Sequence, residues 1–401
     1  MQQRFIAEGH LIDSGILTNI LNLIVEENED YNILRFDIGK TNAEPSRLEI
    51  ELICDTAERL STVSKKLINL GCYEVGPPAA VWKRAEKDAW VPADFYSTTN
   101  HRTEVWNGSA WQAVVDQRMD AVVVREAGGL FCRKLRDIRA GDEILCGGEA
   151  VHVYPPQRDR EGGAFAFMDN EVSSERSVES VVSQLAESFR EIRNRGSKTI
   201  VVAGPVVIHT GGAAALAELI REGWVQGLLA GNALAVHDAE SVFYGTSLGV
   251  DLKTGKPTHE GHKNHMRAIN RINGHGGLRQ AVESGDLGRG VMYETVQAEI
   301  PFCLAGSIRD DGPLPDTQMD LIKAQGEYAE IAKGADLVLM LSSMLHAIGT
   351  GNMLPSYVKT VCVDINPAVV TKLADRGSSQ AIGVVSDVGL FLKALARELR
   401  G

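Results

Sequence analysis

Thr360-Val361-Cys362-Val363-Asp364-Ile365-Asn366-Pro367 is an apolar, largely β-branched run that stops on an acid and a turn. Read as a strand, it has almost no polar residue on either face, as expected of a parallel-sheet strand covered on both sides. Ligands of a doubly wound α/β sheet lie at the carboxyl ends of its strands. Asp364 is then placed to accept both ribose hydroxyls of an adenosine. Its charge would repel a 2′-phosphate, which favours NAD over NADP. The competing reading is a turn or the cap of the next helix. The stretch alone leaves both open.

Its surroundings repeat the pattern. From residue 198 onward short apolar runs alternate with helical segments, with strand candidates at 199–203, 227–230, 302–307, 337–341, 360–365 and 381–385. Most of their ends carry small, polar or acidic residues. Residues 337–341 run into Ser342-Ser343-Met344-Leu345-His346, where exposed amides suit a phosphate or nicotinamide, or where serines simply cap a turn. Asp387 and Val388 follow the last strand, and Asp387 is at least an N-cap candidate. Gly231 lets the backbone come close to a ligand beside Asn232 and Ala233. Arg309, Asp310 and Asp311 occupy the turn after the third strand. The dinucleotide fingerprint GxGxxG is absent: Gly204-Pro205 follows the first strand, and Gly211-Gly212 comes later. The expected fold is therefore a Rossmann-like parallel-sheet domain over 173–401, without the fingerprint, entered by a connector helix at 174–194.

The preceding residues read differently. Residues 1–85 follow a βαββαβ order, the ferredoxin-like pattern, with Ser14 expected to cap the first helix. Over 86–172 short strands recur, and Asn107-Gly108 marks a two-residue hairpin turn, so a small β-rich subdomain is expected.

Composition limits the partners. The chain has 401 residues, room for two or three domains, with 44% hydrophobic and 23% charged residues and a net charge of -12. That charge argues against nucleic acid, whose binding needs many Lys and Arg on phosphates. No apolar run nears the ~20 residues of a membrane span, and the first residues lack the apolar stretch of a signal peptide. Six cysteines without a CxxC suggest a reducing compartment, hence the cytoplasm.

Residues 253–277 are polar and basic. His259, His262 and His265 recur every third residue, but on a helix His259 and His265 would not share a face, so no metal is expected. A basic loop for a carboxylate substrate, or a solvated helix face, accounts for the segment better.

Longer motifs carry a resemblance. They are the run from Ala230 to Glu240 with Asn232, Ala233, His237 and Asp238, the run 243–249, and His259-Glu260-Gly261-His262-Lys263-Asn264-His265. Residues 306–316 and the stretch Met344-Leu345-His346 with Gly349 add to them. The chain resembles the archaeal-type ornithine cyclodeaminases, also labelled the lysine–oxoglutarate reductase/saccharopine dehydrogenase conserved-region family. It is similar to the C-terminal part of the cyanobacterial arginine dihydrolase–ornithine cyclodeaminase fusion, and the arginine-cleaving domain has no counterpart in this sequence. The resemblance implies NAD-dependent conversion of L-ornithine to L-proline and ammonia, with hydride removed from Cα and returned. It also implies cofactor contacts at Asn232, Ala233, Asp311, Ser343, Met344, Leu345, His346, Asp364, Asp387 and Val388.

It supplies no catalytic base. Asp310, whose neighbour Asp311 would raise its pKa, is the expected base. Lys263 or Arg267 is the expected partner of the substrate carboxylate. A homo-oligomer is expected. Two other readings stay open: an NAD-linked dehydrogenase of saccharopine type, and a non-catalytic module sensing NAD or an amino acid.

Overall fold

The first sheet follows from the alternation of residues near the N-terminus, seen here in a computed structural model. It describes residues 1–12, 14–41, 44–155, 178–258, 261–310, 312–375 and 381–400. Two compact units divide the chain: Met1–Phe167 with Asn352–Tyr357, and Met168–Gly351 with Val358–Gly401.

The first unit begins with β1 (Gln2–Gly9), α1 (Ile16–Glu26), β2 (Asp30–Asp37), β3 (Ser46–Ile53), α2 (Ala57–Asn69) and β4 (Tyr73–Glu74). The strand order is β2-β3-β1-β4, with every neighbouring pair antiparallel, as in the ferredoxin-like arrangement. Burial along β3 alternates with period two, and α1 buries Ile16, Ile20 and Ile24. Ser14 is not the cap expected of it. Gly15, with φ 72°, holds the N-cap position of α1, and Ser14 Oγ donates to the His10 carbonyl at 2.6 Å.

A second sheet follows, built from β5 (Val81–Arg84), β6 (Arg102–Trp106), β7 (Trp111–Val115), β8 (Val122–Glu126), β9 (Gly129–Arg133), β10 (Glu143–Cys146) and β11 (Val151–Tyr154). Their order is β11-β6-β7-β9-β8-β10-β5. The turn at Asn107-Gly108 is a hairpin of another kind than expected. Trp106 pairs with Trp111, so the loop has four residues, and within it only Gly108 takes positive φ. The Asn107 side chain closes it by accepting the Ser109 and Ala110 amides, each at 2.9 Å. Both sheets feed one hydrophobic cluster, in which Phe5 and Leu52 join Val105, Val151 and Val153.

The second unit runs α3 (Val178–Asn194), β12 (Lys198–Ala203), α4 (Val206–His209), α5 (Ala213–Arg221), β13 (Gly227–Gly231), α6 (Asn232–Tyr244), β14 (Thr246–Ser247) and β15 (Val250–Asp251). It continues with α7 (Asn264–His275), α8 (Leu278–Glu283), α9 (Val291–Gln297), β16 (Phe302–Ala305), β17 (Thr317–Gln318), α10 (Leu321–Ala332) and β18 (Ala335–Leu341). It ends with α11 (Met344–Gly351), β19 (Lys359–Asp364), α12 (Pro367–Asp375), β20 (Ala381–Val385) and α13 (Val388–Arg400). The connector helix is α3, its expected first residues 174–177 lying outside the described ones. It buries Val181, Val182, Leu185, Phe189 and Ile192 and packs on β12 and α13.

One parallel sheet organises this unit, in the order β17-β16-β13-β12-β18-β19-β20. Leaving out the two-residue β17 and counting the rest along the chain gives 3-2-1-4-5-6, the doubly wound dinucleotide-binding order. The order in which successive strands are added reverses between β12 and β18, so their carboxyl ends flank the crevice where such sheets take ligands. Among the described residues no helix is long and apolar enough to cross a membrane. All six cysteines are free and buried.

Candidate active site

At the reversal the residues just after β12 and β18 meet closely. A Cβ on Gly204 would lie 2.1 Å from the Ser342 carbonyl oxygen, so the glycine permits the approach. Ser342 holds φ 46°, a left-handed conformation that costs a non-glycine residue roughly 1–2 kcal/mol. The first turn of α11 starts just beyond it, with the expected residues Ser343, Met344, Leu345 and His346. First-turn amides have no intrahelical partner and face an incoming anion with the positive end of the helix dipole.

The neighbouring strand ends carry the other expected groups. Asp364 closes β19 and is only 9% exposed. Its Oδ1 accepts the Asn366 amide at 2.8 Å, so the turn occupies one carboxylate oxygen. Asp387 does cap α13: its Oδ1 accepts the Leu390 amide at 2.8 Å, while Val388 is buried beneath. Beside these polar groups Met344, Leu345 and Ile365 stand 48%, 77% and 69% exposed. A carboxylate for a ribose diol, helix amides for phosphates and apolar side chains for a base form the donor set a dinucleotide needs. NAD fits these residues.

On the β13 and β16 side lies a cleft of about 410 Å³. Asn232, Ala233, His346 and Asp310 line it, so the structure brings together expected cofactor residues and the expected base. A Cβ on Gly231 would fall 2.9 Å from His346 Nε2. Tyr328 donates its one proton to the Ala230 carbonyl at 2.7 Å and stands 3.0 Å from His346 Nδ1. Its oxygen therefore accepts Nδ1–H, and the Nε2 lone pair is left toward the cleft. Burial holds His346 below the usual histidine range, with Asp310 pulling weakly the other way.

Asn232 works behind the cleft. Its Oδ1 accepts the Leu314 amide at 3.0 Å and the Thr317 hydroxyl at 2.9 Å, which ties down the loop bearing Arg309 and Asp310. Asp310 Oδ2 accepts the Ser307 amide at 2.8 Å. Asp311 lies outside the described residues, and so does its expected effect on Asp310.

Lys263 and Arg267 sit exposed at the start of α7 and are not among the residues lining the cleft. Arg267 donates to Asn264 Oδ1 at 3.3 Å. Arg309 and His265 do line it. Farther along the basic segment, Arg271 and His275 both hold Asp286, at 2.6 Å and 2.9 Å. That pairing brings the Asp286 carboxyl down to about 2. His259 lies outside the described residues.

Sequence reasoning missed a second set of groups. In α6 the consecutive residues from Leu234 to Glu240 are all buried, so the polar ones need partners. Asp238 accepts the Val291 and Met292 amides at 3.0 Å and 2.8 Å and caps α9. Burial raises its carboxyl to about 6 against those two bonds. Glu240 faces His237, whose Nδ1 is 2.9 Å from Oε2. His237 and His209 both line the cleft, their rings 4.9 Å apart and edge to face. The signal in the sequence was a His and a Glu three apart on a helix that leaves a ligand-edge strand.

Known proteins locate this arrangement. Residues 183–395 match the family described as arginine dihydrolase ArgZ-like, C-terminal, Rossmann fold. Residues 102–182 match the first region of the same C-terminal part, and 2–101 the LOR/SDH bifunctional enzyme conserved region. The ornithine cyclodeaminase of Methanocaldococcus jannaschii is 49% identical over 98% of this chain and 94% of its own length. The bifunctional arginine dihydrolase/ornithine cyclodeaminase ArgZ of Synechocystis sp. is also 49% identical over 98% of this chain, which spans 57% of that enzyme. The apo crystal structure of cyanobacterial ArgZ superposes with a TM-score of 0.86 at 44% identity, over 100% of this chain and 58% of that one. A second structure is the ternary complex of AgrE, the corresponding enzyme of Nostoc sp., with ornithine and NAD+. It matches at 47% identity with a TM-score of 0.55, over 100% of this chain and 57% of that one. With a Rossmann-order sheet, a family match over residues 183–395 and 49% identity to an archaeal ornithine cyclodeaminase over 98% of this chain, the chain belongs to the family of the archaeal ornithine cyclodeaminases and the C-terminal part of ArgZ-like arginine dihydrolases.

Proposed function

We propose that this protein is an NAD-dependent ornithine cyclodeaminase, converting L-ornithine to L-proline and ammonia. The observation that carries the reading is the continuous ligand edge of the parallel sheet: a ribose-type carboxylate at Asp364, helix amides at α11 and a polar cleft at Asn232, Ala233 and His346. Relatives named ornithine cyclodeaminase, and a relative's complex with ornithine and NAD+, support it.

Bound NAD supplies a hydride acceptor that becomes the hydride donor later in the same turnover. The chain's own residues do the rest. Asp364 holds the adenosine ribose, with Asp387 and Val388 beside it. Ser343, Met344 and Leu345 offer amides to the phosphates. Asn232, Ala233 and His346 flank the reacting end, and Asp311 belongs to the same set. Asp310 serves as the carboxylate that meets a substrate ammonium. The cation for the substrate carboxylate comes from Arg309, Lys263 or Arg267, of which Arg309 lines the cleft. The same proposal puts the enzyme in the cytoplasm as a homo-oligomer, and six unbridged thiols support a reducing compartment.

An amino-acid panel with NAD, reading ammonia and reduced nicotinamide together, tests the reaction. Ornithine should release ammonia and give an equal amount of proline without accumulating reduced cofactor. Steady reduction of NAD by saccharopine, with ornithine inert, would replace this reading by the dehydrogenase.

A further inference from the structure

We propose that His237 is the proton carrier of the cyclisation step and that Glu240 is its positioning residue. The inference rests on the cyclodeaminase reading and adds a role to a residue that faces the same cleft.

The geometry starts from Glu240, which is wholly buried. Its Oε1 accepts the Thr246 hydroxyl at 2.8 Å and the Gly249 amide at 3.0 Å. Its Oε2 accepts the Leu248 amide at 3.2 Å and meets His237 Nδ1 at 2.9 Å. Two of these partners are backbone amides, which can only donate, and the Thr246 oxygen already accepts from Asn264 Nδ2 at 3.0 Å, so the carboxyl is an ionised acceptor. Burial alone would raise its pKa; the His237, Gly249 and Thr246 bonds win and hold it below the usual range. An ionised Oε2 fixes the proton of the neutral imidazole on His237 Nδ1. Nε2 is then the basic nitrogen, on a ring that lines the cleft. A carboxylate also stabilises the imidazolium that forms when Nε2 takes a proton.

The other titratable groups around His237 leave it that task. His209, from α4, is kept neutral: burial first, then His237, bring it down to about 4, and its Nδ1 contacts Ser247 Oγ at 2.6 Å. His265 comes from α7, Arg309 and Asp310 from the loop after β16, and His346 from α11. His346 is held by Tyr328, and Asp310 accepts the Ser307 amide. Of the groups with described bonds, only His237 is backed by a buried carboxylate.

The step it serves needs no outside oxidant or base. Once the substrate carbon is a protonated imine, the unprotonated δ-amine adds to it, forming the C–Nδ bond, moving the C=N electron pair onto the α-nitrogen and leaving a proton in excess on Nδ. His237 Nε2 takes that proton and delivers it to the α-nitrogen. The Nδ lone pair forms the C=Nδ bond as the C–Nα bond breaks with its electron pair on the α-nitrogen, and ammonia leaves a protonated cyclic imine. One proton moves between two nitrogens, and no electrons are gained or lost.

The test is His237→Asn and Glu240→Gln in the full chain, with ¹⁵N NMR of the histidines. In the free wild-type enzyme His237 should show a protonated Nδ1 and an acceptor Nε2, and Glu240→Gln should shift that resonance pattern. His237→Asn should lower kcat for proline formation by about 10²–10⁴-fold, the range for a positioned acid–base group, with NAD binding by calorimetry retained. Glu240→Gln should lower kcat less and move the pH profile. Wild-type proline formation with His237→Asn within threefold, or a His237 protonated on Nε2, overturns the proposal while the cyclodeaminase reading stands. If another amino acid proves to be the substrate and His237→Asn loses that deamination, the proton role stands and the substrate reading falls.

Discussion

The two ends of the ligand edge are built by opposite means. At β19, β20 and α11 each expected group follows a strand directly and works through the local backbone: Asp364 closes a turn, Asp387 caps a helix, Met344 and Leu345 begin one. At α6 the groups are buried and held by side chains and amides from β14 and the residues after it, as Glu240 is by Thr246, Leu248 and Gly249. The first kind of site tolerates loss of a side chain better, because Asp364 and Asp387 each accept a single described amide of their own turn. The second does not, because a removed acceptor strands buried donors.

That contrast sets the order of the expected effects. Glu240→Ala leaves His237, Thr246 and two amides without their acceptor. Denaturant unfolding should show a loss of about 3–5 kcal/mol, the cost of breaking a buried pair. A loss below about 1 kcal/mol, typical of an ordinary substitution, would mean the α6 end is no less tolerant than the other. Asp364→Ala should weaken NAD by about 1.5–3 kcal/mol, the scale of a hydrogen bond to a charged group, as read by calorimetry. Equal affinity of the native protein for NAD and NADP would take the ribose away from Asp364. Asp387→Ala should be mildest, lowering stability by about 1 kcal/mol through the lost cap of α13, with a smaller change in NAD affinity than Asp364→Ala. A larger NAD loss at Asp387 than at Asp364 would invert their roles.

The same contrast explains how far the sequence could be read. A parallel strand buried on both faces is a short apolar run, so the run 360–365 was visible, and the residue that ended it was visible with it. The ferredoxin-like order was legible for a similar reason, since β3 alternates with period two. β5 and β9 were not foreseen: each is short, and residues such as Lys83, Arg84 and Arg133 hide the pattern. The Asn107-Gly108 turn was found but mistyped, because the Asn side chain bonds that close a four-residue loop do not show in a dipeptide. His237 and Glu240 stood in plain view inside α6. Their meaning depends on Thr246, Leu248 and Gly249 folding back onto the helix, and no local period encodes that. Lys263 and Arg267 attracted attention by charge, yet of the three cations it is Arg309, one residue before the acid that was noticed, that lines the cleft.

In the proposed reaction a hydride leaves Cα and returns to it within one turnover. L-Ornithine deuterated at Cα, incubated with enzyme and NAD, reads this out in the product. Proline and ammonia should appear in equal amounts, depend on NAD, leave no net reduced cofactor, and deuterium should be kept at Cα of proline. Proline formed without NAD, or with full loss of that deuterium while the cofactor stays bound, would contradict it.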